Sequence, residues 1–218
     1  MKSKIVPVFV FVILFQTCSF AQSRVGRSSS KVFDSGNIVV DAYYGFPNIF
    51  TQIWKSQIAA YYSNGYQGYE VSADGLGPLG GKVTYLLNRT IGLGLEANYV
   101  TSDIQLVFND AGTVYFYKYT FLRYRVMGVM DINYAETQNF DAYASVRMGY
   151  LGTQEKFTSN IPSATQYLGS YLPPVAFGIT AGCRIFFSDM IGAHFEIGLG
   201  GGPLLKGGLS FKLSGKRM

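Results

Sequence analysis

The chain has 218 residues, of which 48% are hydrophobic, 16% aromatic and only 14% charged. Its formal charge of +5 falls to +3 once a leader containing Lys2 and Lys4 is removed, which is too mild a surplus for nucleic-acid binding. Of two cysteines only Cys183 lies beyond that leader, so the mature chain is expected to hold no intrachain disulfide.

Lys2 and Lys4 precede an apolar run from Ile5 to Phe15, and Ser19 and Ala21 set small residues before a cleavage point at Gln22. This reads as a secretory signal peptide over residues 1–21, because about a dozen apolar residues are too few to cross a bilayer as a helix. Phe15-Gln16-Thr17 before Cys18 matches a lipidation box poorly. Residues 22–35, rich in Ser and Arg and without periodicity, are expected to form a flexible periplasmic lead-in.

Eight alternating segments follow, with opposite characters on successive positions, as strands require. The first, about 37–46, sets Ile38, Val40, Ala42, Tyr44 and Phe46 against Asp41. The stretch 48–62 then places Ile49, Phe50, Ile53, Trp54, Ile58, Tyr61 and Tyr62 at helical spacing; a helix here would lie on the outer leaflet, cap a barrel mouth or pack within its own loop. The second strand, about 78–87, sets Val83, Tyr85 and Leu87 against Lys82 and Thr84. The third runs from Ile91 to about Phe108 and the fourth over about 113–131, with Leu122, Tyr124 and Val126 opposite Arg123 and Arg125. Both alternate past the ~9–11 residues a membrane strand needs. They predict a hairpin projecting around Asn109-Asp110-Ala111-Gly112, and Phe108, Asn109, Asp110, Gly112 and Tyr115 are its candidate docking residues if its edge is unpaired.

The fifth strand, about 140–151, sets Phe140, Ala142, Ala144, Val146, Met148 and Tyr150 against Asp141, Ser145 and Arg147. The sixth, about 174–187, opposes Phe177, Ile179, Ala181, Cys183, Ile185 and Phe187 to Thr180 and Arg184. The seventh, about 191–200, repeats the third one hundred positions on: Ile91-Gly92-Leu93-Gly94-Leu95-Glu96 is echoed by Ile191-Gly192-Ala193-His194-Phe195-Glu196. The eighth, about 207–213, opposes Leu209, Phe211 and Leu213 to Ser210 and Lys212, leaving 214–218 as a basic tail. Links at 87–91, 130–140 and 187–191 are short, whereas 47–76 and 152–173 are long; 109–112 and 201–206 complete the outer links.

An even number of sorted strands, short turns alternating with longer loops and an export signal predict an all-β fold. The expected architecture is an eight-stranded antiparallel up-and-down transmembrane barrel over 36–213, grease outward and a packed polar lumen within. By parity the inward charges are Asp41, Lys82, Glu96, Arg123, Arg125, Arg147, Arg184, His194, Glu196 and Lys212. A barrel of eight strands has room only for its own side chains, so these are expected to pair into a structural plug. Tyr44, Phe46, Tyr99 and Tyr150 at one level and Tyr85, Phe140, Phe187 and Phe211 at the other suggest two aromatic girdles.

Motifs that look chemical fare poorly. Gly75-Leu76-Gly77-Pro78-Leu79-Gly80 matches a dinucleotide fingerprint in letters, but a strand rather than a helix follows it. His194, the lone histidine, has no histidine partner for a metal; as a base it would need lumenal Ser145 or Ser210 with Glu196. No catalytic, cofactor or metal site is therefore assigned.

In its pattern, and in Gly77-Pro78-Leu79-Gly80 through Tyr85 with Ile91-Gly92-Leu93-Gly94-Leu95-Glu96 in particular, the chain resembles the small bacterial outer-membrane β-barrel family, the OmpX, OmpA-barrel and PorT-like group. The resemblance implies residence in the outer membrane with no cofactor and no shared active site. Many members end on an aromatic read by the barrel-insertion machinery; here Phe211 is followed by Lys212-Leu213-Ser214-Gly215-Lys216-Arg217-Met218. The expected function is a non-enzymatic surface barrel acting in binding, adhesion or envelope support through its external loops. The alternatives are an accessory subunit of a secretion or transport assembly, and a lipid-modifying barrel enzyme. Expected partners are outer-membrane lipid, the insertion machinery during biogenesis and a protein at the external loops, with the chain a monomer and no nucleic acid bound.

Overall fold

The structure, a computed structural model, describes residues 35–47, 49–63, 69–110, 112–137, 139–161, 173–200 and 202–213. The signal peptide, nearly all of the lead-in and the basic tail expected from the sequence lie outside them. In chain order the elements are β1 (Ile38–Phe46), α1 (Ile49–Ser63), β2 (Tyr69–Asp74), β3 (Leu79–Leu86), β4 (Ile91–Asp110), β5 (Thr113–Glu136), β6 (Phe140–Ser159), β7 (Val175–Phe186), β8 (Ile191–Leu199) and β9 (Leu205–Leu213). Every pairing is antiparallel, and the ladder between β4 and β5 closes the sheet on itself.

Nine strand segments make eight barrel strands. β3 pairs with β4 from Leu79↔Tyr99 to Leu86↔Gly92, and β2 pairs with the same strand farther along, from Tyr69↔Phe108 to Asp74↔Asp103. β2 is thus the outward continuation of β3, broken only at 75–78. The break is where the dinucleotide-like glycines sit: Gly75 takes a φ of +152°, and a Cβ there would stand 2.2 Å from the Thr101 carbonyl oxygen. Only glycine allows the chain to approach β4 so closely.

The short turns explain the hundred-residue echo. In Leu87-Asn88-Arg89-Thr90-Ile91 the Asn88 Oδ1 accepts from the amides of Thr90 and Ile91, both at 2.8 Å. In Phe187-Ser188-Asp189-Met190-Ile191 the Ser188 Oγ accepts from Met190 at 3.4 Å and Ile191 at 3.1 Å. The same local chemistry closes both turns, so the strands that leave them begin in the same phase.

Residues 69–74 and 152–159, expected to be loop, are strand; β5 runs on to Glu136, and β9 begins two residues earlier than the sequence suggested, at Leu205. The barrel is consequently lopsided. β7, β8 and β9 end near one rim, while β2, β4, β5 and β6 continue past it as a four-stranded wall. From Tyr124 to Thr113 the wall rises roughly 35 Å along the strand.

Outer and inner faces are sorted as the alternation demands. Leu95 (66% exposed), Met148 (63%) and Leu199 (64%) stand on an outer belt that also carries Val83, Val126, Phe177, Ile185 and Leu209. So large an apolar girdle is stable only against acyl chains. Above it, on the wall, the same outward positions become Gln105, Gln154, Lys156 and Thr158, all exposed. Inside the belt, Asp41, Lys82, Asp131, Arg147 and Arg184 are fully or almost fully buried. No helix among the described residues is long and apolar enough to cross a membrane.

Candidate functional site

The lumen holds a continuous ion network built by side chains from eight strands, all but β2. Arg184 on β7 lies at its inner end with three carboxylates around it. Its Nη2 donates to Asp41 on β1 at 2.9 Å and Asp131 on β5 at 3.1 Å, and its Nη1 donates to Asp141 on β6 at 2.9 Å. The guanidinium lies 3.9 Å over the Tyr143 ring. Lys82 on β3 joins this cluster to the next, donating to Asp131 at 3.2 Å and to Glu196 on β8 at 2.9 Å.

Farther out, Glu96 and Glu196 are shared among Arg147, Lys206 and two tyrosines. Arg147 reaches Glu96 at 2.8 Å and Glu196 at 2.5 Å. Lys206 donates to Glu96 at 2.5 Å and lies 3.5 Å from Glu196. The Tyr43 hydroxyl donates to Glu96, and the Tyr143 hydroxyl donates to Glu196 at 2.7 Å. Hydroxyls complete the shell: Ser145 donates to Asp131 at 2.5 Å and Ser210 to Asp41 at 2.6 Å. Burying a charge costs several kcal/mol unless partners replace its water, and here most of the charged groups carry at least two partners, Asp141 with Arg184 alone being the exception.

Glycines decide where the large inward side chains fit. Tyr43 is flanked by Gly80 on β3 and Gly208 on β9, and Tyr143 faces Gly182 on β7. A Cβ at Gly208 would meet the Ala42 carbonyl oxygen at 1.9 Å, and one at Gly182 would meet the Tyr143 ring at 2.8 Å. The bare positions on one strand are the volume occupied by the ring on the next.

The ten charged residues named from the sequence are all buried. Asp41, Lys82, Glu96, Arg147, Arg184 and Glu196 form the network proper. Arg125 and Arg123 lie above it, and Lys212 approaches the Phe186 ring at 5.8 Å near the inner end. His194 Nδ1 is 3.1 Å from Ser210 Oγ, but that hydroxyl donates to Asp41, and all three residues are buried. The serine is thus committed to a carboxylate rather than offered to a substrate, the reverse of what a nucleophile–base pair requires. Ser145 is equally committed, to Asp131.

Four members of the network escaped the inward set drawn from the sequence. Asp131 is the last residue of the fourth strand drawn from the sequence, Lys206 lies in what the pattern had given to a link, and Tyr43 and Tyr143 are aromatic residues on the polar face. Asp141 had been placed on the correct face without a role in the network. The signal for the tyrosines was present: each has a glycine opposite on a neighbouring strand.

Above Arg123 the inner face changes character. Ile104, Leu106 and Phe108 of β4 and Tyr119 and Phe121 of β5 form a buried apolar cluster with Ile58 of α1. The helix buries Thr51 and Ile58 and half-buries Trp54, the stripe of i, i+3, i+7 spacing, while Ile53 faces outward. Trp54 stacks on Phe121 with centroids 5.4 Å apart, and Thr51 Oγ1 is 2.5 Å from Ser102 Oγ. α1 therefore packs on the lumenal face of the wall rather than on the outer leaflet. The enclosure is dry enough that burial raises the Tyr119 phenol above its ordinary value.

The projecting hairpin is also not what its sequence suggested. Below its tip the edges are taken, β4 by β2 over 103–108 and β5 by β6 from Tyr117 onward. Phe108 faces inward and stacks on Tyr115 at 5.4 Å; Asn109 Oδ1 accepts from the Gly112 amide at 3.1 Å to close the tip; Asp110 pairs through its backbone with Thr113. Among the described residues, β2 and β6 over 153–159 also carry an edge with no ladder partner.

No family model matches the chain, and no curated protein matches it by sequence. Among solved structures it is similar to the N-terminal β-barrel domain of Pseudomonas aeruginosa OprF. The identity is 11% and the TM-score 0.41, over 82% of this chain and 98% of that one. It is also similar to Ail, the attachment invasion locus protein of Yersinia pestis, at 12% identity and a TM-score of 0.36, over 82% of this chain and 99% of the other.

Proposed function

We propose that this protein is a non-enzymatic barrel of the bacterial outer membrane, exported with cleavage after Ala21, which binds a partner at the cell surface through its extracellular wall. The observation that carries the reading is the wall itself. Membrane spanning needs only ~9–11 residues per strand, whereas β5 has 24. The excess strand is folded around its own apolar core, shows water a polar outer face and, among the described residues, leaves the edges of β2 and β6 free to accept an added strand. The lumen contributes stability and no passage, since its charges are paired across the whole cross-section. Purified protein in a planar bilayer is expected to give no steady conductance.

Photo-crosslinking groups at Gln105 and Lys156, both on the outer face of the wall, test the binding role in intact cells. Adducts at these positions and none at Leu95 in the belt support it; adducts at Leu95 with none on the wall refute it. A stoichiometric adduct with a secretion component would make the barrel an accessory subunit of that assembly. His194→Ala is expected to leave the composition of the surrounding lipid unchanged, and a change would restore the lipid-modifying reading.

A further inference from the structure

On the outer face of the barrel, where β3, β4 and β5 lie side by side, a groove of about 450 Å³ opens toward the bilayer. Two registered rows of residues build it. Leu79, Tyr99 and Tyr124 stand abreast across the three strands, and Gly81, Ala97 and Val126 do the same one pleat nearer the inner end. The small pair Gly81 and Ala97 leaves a depression between larger neighbours, and Gly80 adds backbone to its lining. Leu79, Tyr99, Tyr124 and Val126 are all exposed around it.

A glycine on a fourth strand keeps the groove open. Tyr124 is the ladder partner of Gly152 on β6 as well as of Tyr99 on β4. A Cβ at Gly152 would stand 2.1 Å from Tyr124 Cζ, so the ring lies across Gly152 and away from Tyr99, its centroid 6.2 Å from that of Tyr150. Height on the barrel matters equally. Toward the inner end the outer face continues as the apolar belt of Val83, Leu95 and Met130. Toward the wall it turns polar, with Gln105 exposed and Lys118 3.4 Å from Asp103. The groove thus lies at the upper limit of the belt and is continuous with the surface that acyl chains cover. Its two tyrosines stand where chains give way to head groups, the level such side chains favour.

We propose that this groove seats one acyl chain of an outer-leaflet lipid, held at a fixed place on the barrel while the rest of the lipid shell exchanges. A chain lying on an even strand surface touches protein on one side; in the groove it is flanked by β3 and β5 and lies over β4. Left unfilled, the groove would forfeit dispersion contacts along its lining. Its walls are set by paired strands, so little further ordering is needed when a chain enters. Tyr99 and Tyr124 at its upper end offer hydroxyl donors to the ester oxygens of the same lipid. The choice of leaflet rests on the wall facing the cell exterior; the groove does not.

The test uses the full mature barrel in a detergent that strips loosely held lipid, with bound species counted by native mass spectrometry. Dipalmitoyl phosphatidylethanolamine is added back at rising concentration. A single lipid per barrel is expected to bind saturably, and glycerophosphoethanolamine, which has the head group without chains, should not compete. Ala97→Phe fills the groove from a lipid-facing position and should weaken binding about tenfold with heat-resistant gel mobility unchanged. Gly152→Ala should act in the same sense by pushing the Tyr124 ring over the groove. Ala181→Phe, the same substitution at an exposed position on β7, should leave binding unchanged. Undiminished binding in a folded Ala97→Phe or Gly152→Ala barrel overturns the proposal, as does displacement by the chainless head group. A dimer in place of bound lipid, lost in Ala97→Phe, overturns it too, because a second copy would then fill the groove. This readout is taken in detergent and does not depend on the crosslinking that tests the wall.

Discussion

Replacing Arg184 by Met removes the cation at the inner end of the network while filling much the same volume. Three carboxylates at 2.9, 3.1 and 2.9 Å then face a thioether, with Lys82 left near Asp131 and Asp41 at 3.2 and 3.5 Å. Asp141 loses the one cation within ion-pair distance of it among the described residues. Breaking a single buried pair by deleting one partner costs about 3–5 kcal/mol. Three charge-assisted bonds at about 1.5–3 kcal/mol each sum to between about 5 and 9 kcal/mol, and sharing of the partners favours the lower end. The expected loss is therefore about 5 kcal/mol, read from urea unfolding of the barrel in lipid vesicles by gel mobility. Arg184→Met combined with Asp41→Asn and Asp141→Asn should recover more than half, because a neutral cluster no longer demands a counter-charge. A single-variant loss under about 1.5 kcal/mol, or no recovery on neutralising the acids, would refute the view that paired charge holds this core.

Glycine packing gives a matched pair: Gly208→Ala puts a Cβ 1.9 Å from the Ala42 carbonyl oxygen and should block folding to the heat-resistant form. Gly207→Ala, whose nearest neighbour would be 3.8 Å away, should fold normally, and equal yields of the two would contradict the close approach of β9 to β1. Phe121→Ala removes the ring under the single Trp, and a cavity of that kind costs about 3–5 kcal/mol. The loss should appear as a red-shifted, more quenchable Trp54 emission with barrel gel mobility unchanged; loss of both together would mean that cap and barrel unfold as one unit. Spin labels at Leu95 and Met148 should relax with oxygen, and labels at Gln105 and Lys156 with a water-soluble nickel chelate. The reverse pattern would place the membrane on the wall.

Within the belt the strands were readable to within a residue or two, apart from the inner end of β5, which runs five residues farther. Lipid outside and a narrow lumen inside enforce strict alternation there, and Asn88 and Ser188 punctuate the turns. Pairing inside the lumen was not readable. Lys82 meets Glu196 across 114 positions of chain, and that contact depends on the stagger of strands that are not neighbours. Lys206 was missed because Gly207 and Gly208 carry no contrast between faces at the start of β9, and Asp131 because it is the last residue of the strand drawn from the sequence.

The wall was hidden by a change of environment that leaves the alternation intact. From Ile91 to Tyr99 the apolar residues of β4 hold odd positions, whereas Ile104, Leu106 and Phe108 hold even ones. The strand keeps one geometry throughout, since even positions stay inward from Glu96 to Phe108. What reverses is the solvent: below Thr101 the outside is lipid and the inside polar, and above it the outside is water and the inside greasy. β5 shows the same reversal without a break, Arg125 and Arg123 sharing one face with Phe121, Tyr119 and Tyr117. A phase shift in hydrophobicity with no inserted residue is thus the mark of a strand leaving the membrane. Its position in β4 and β5 puts the boundary at the level of Thr101 and Arg123, where the charged lumen meets the cap.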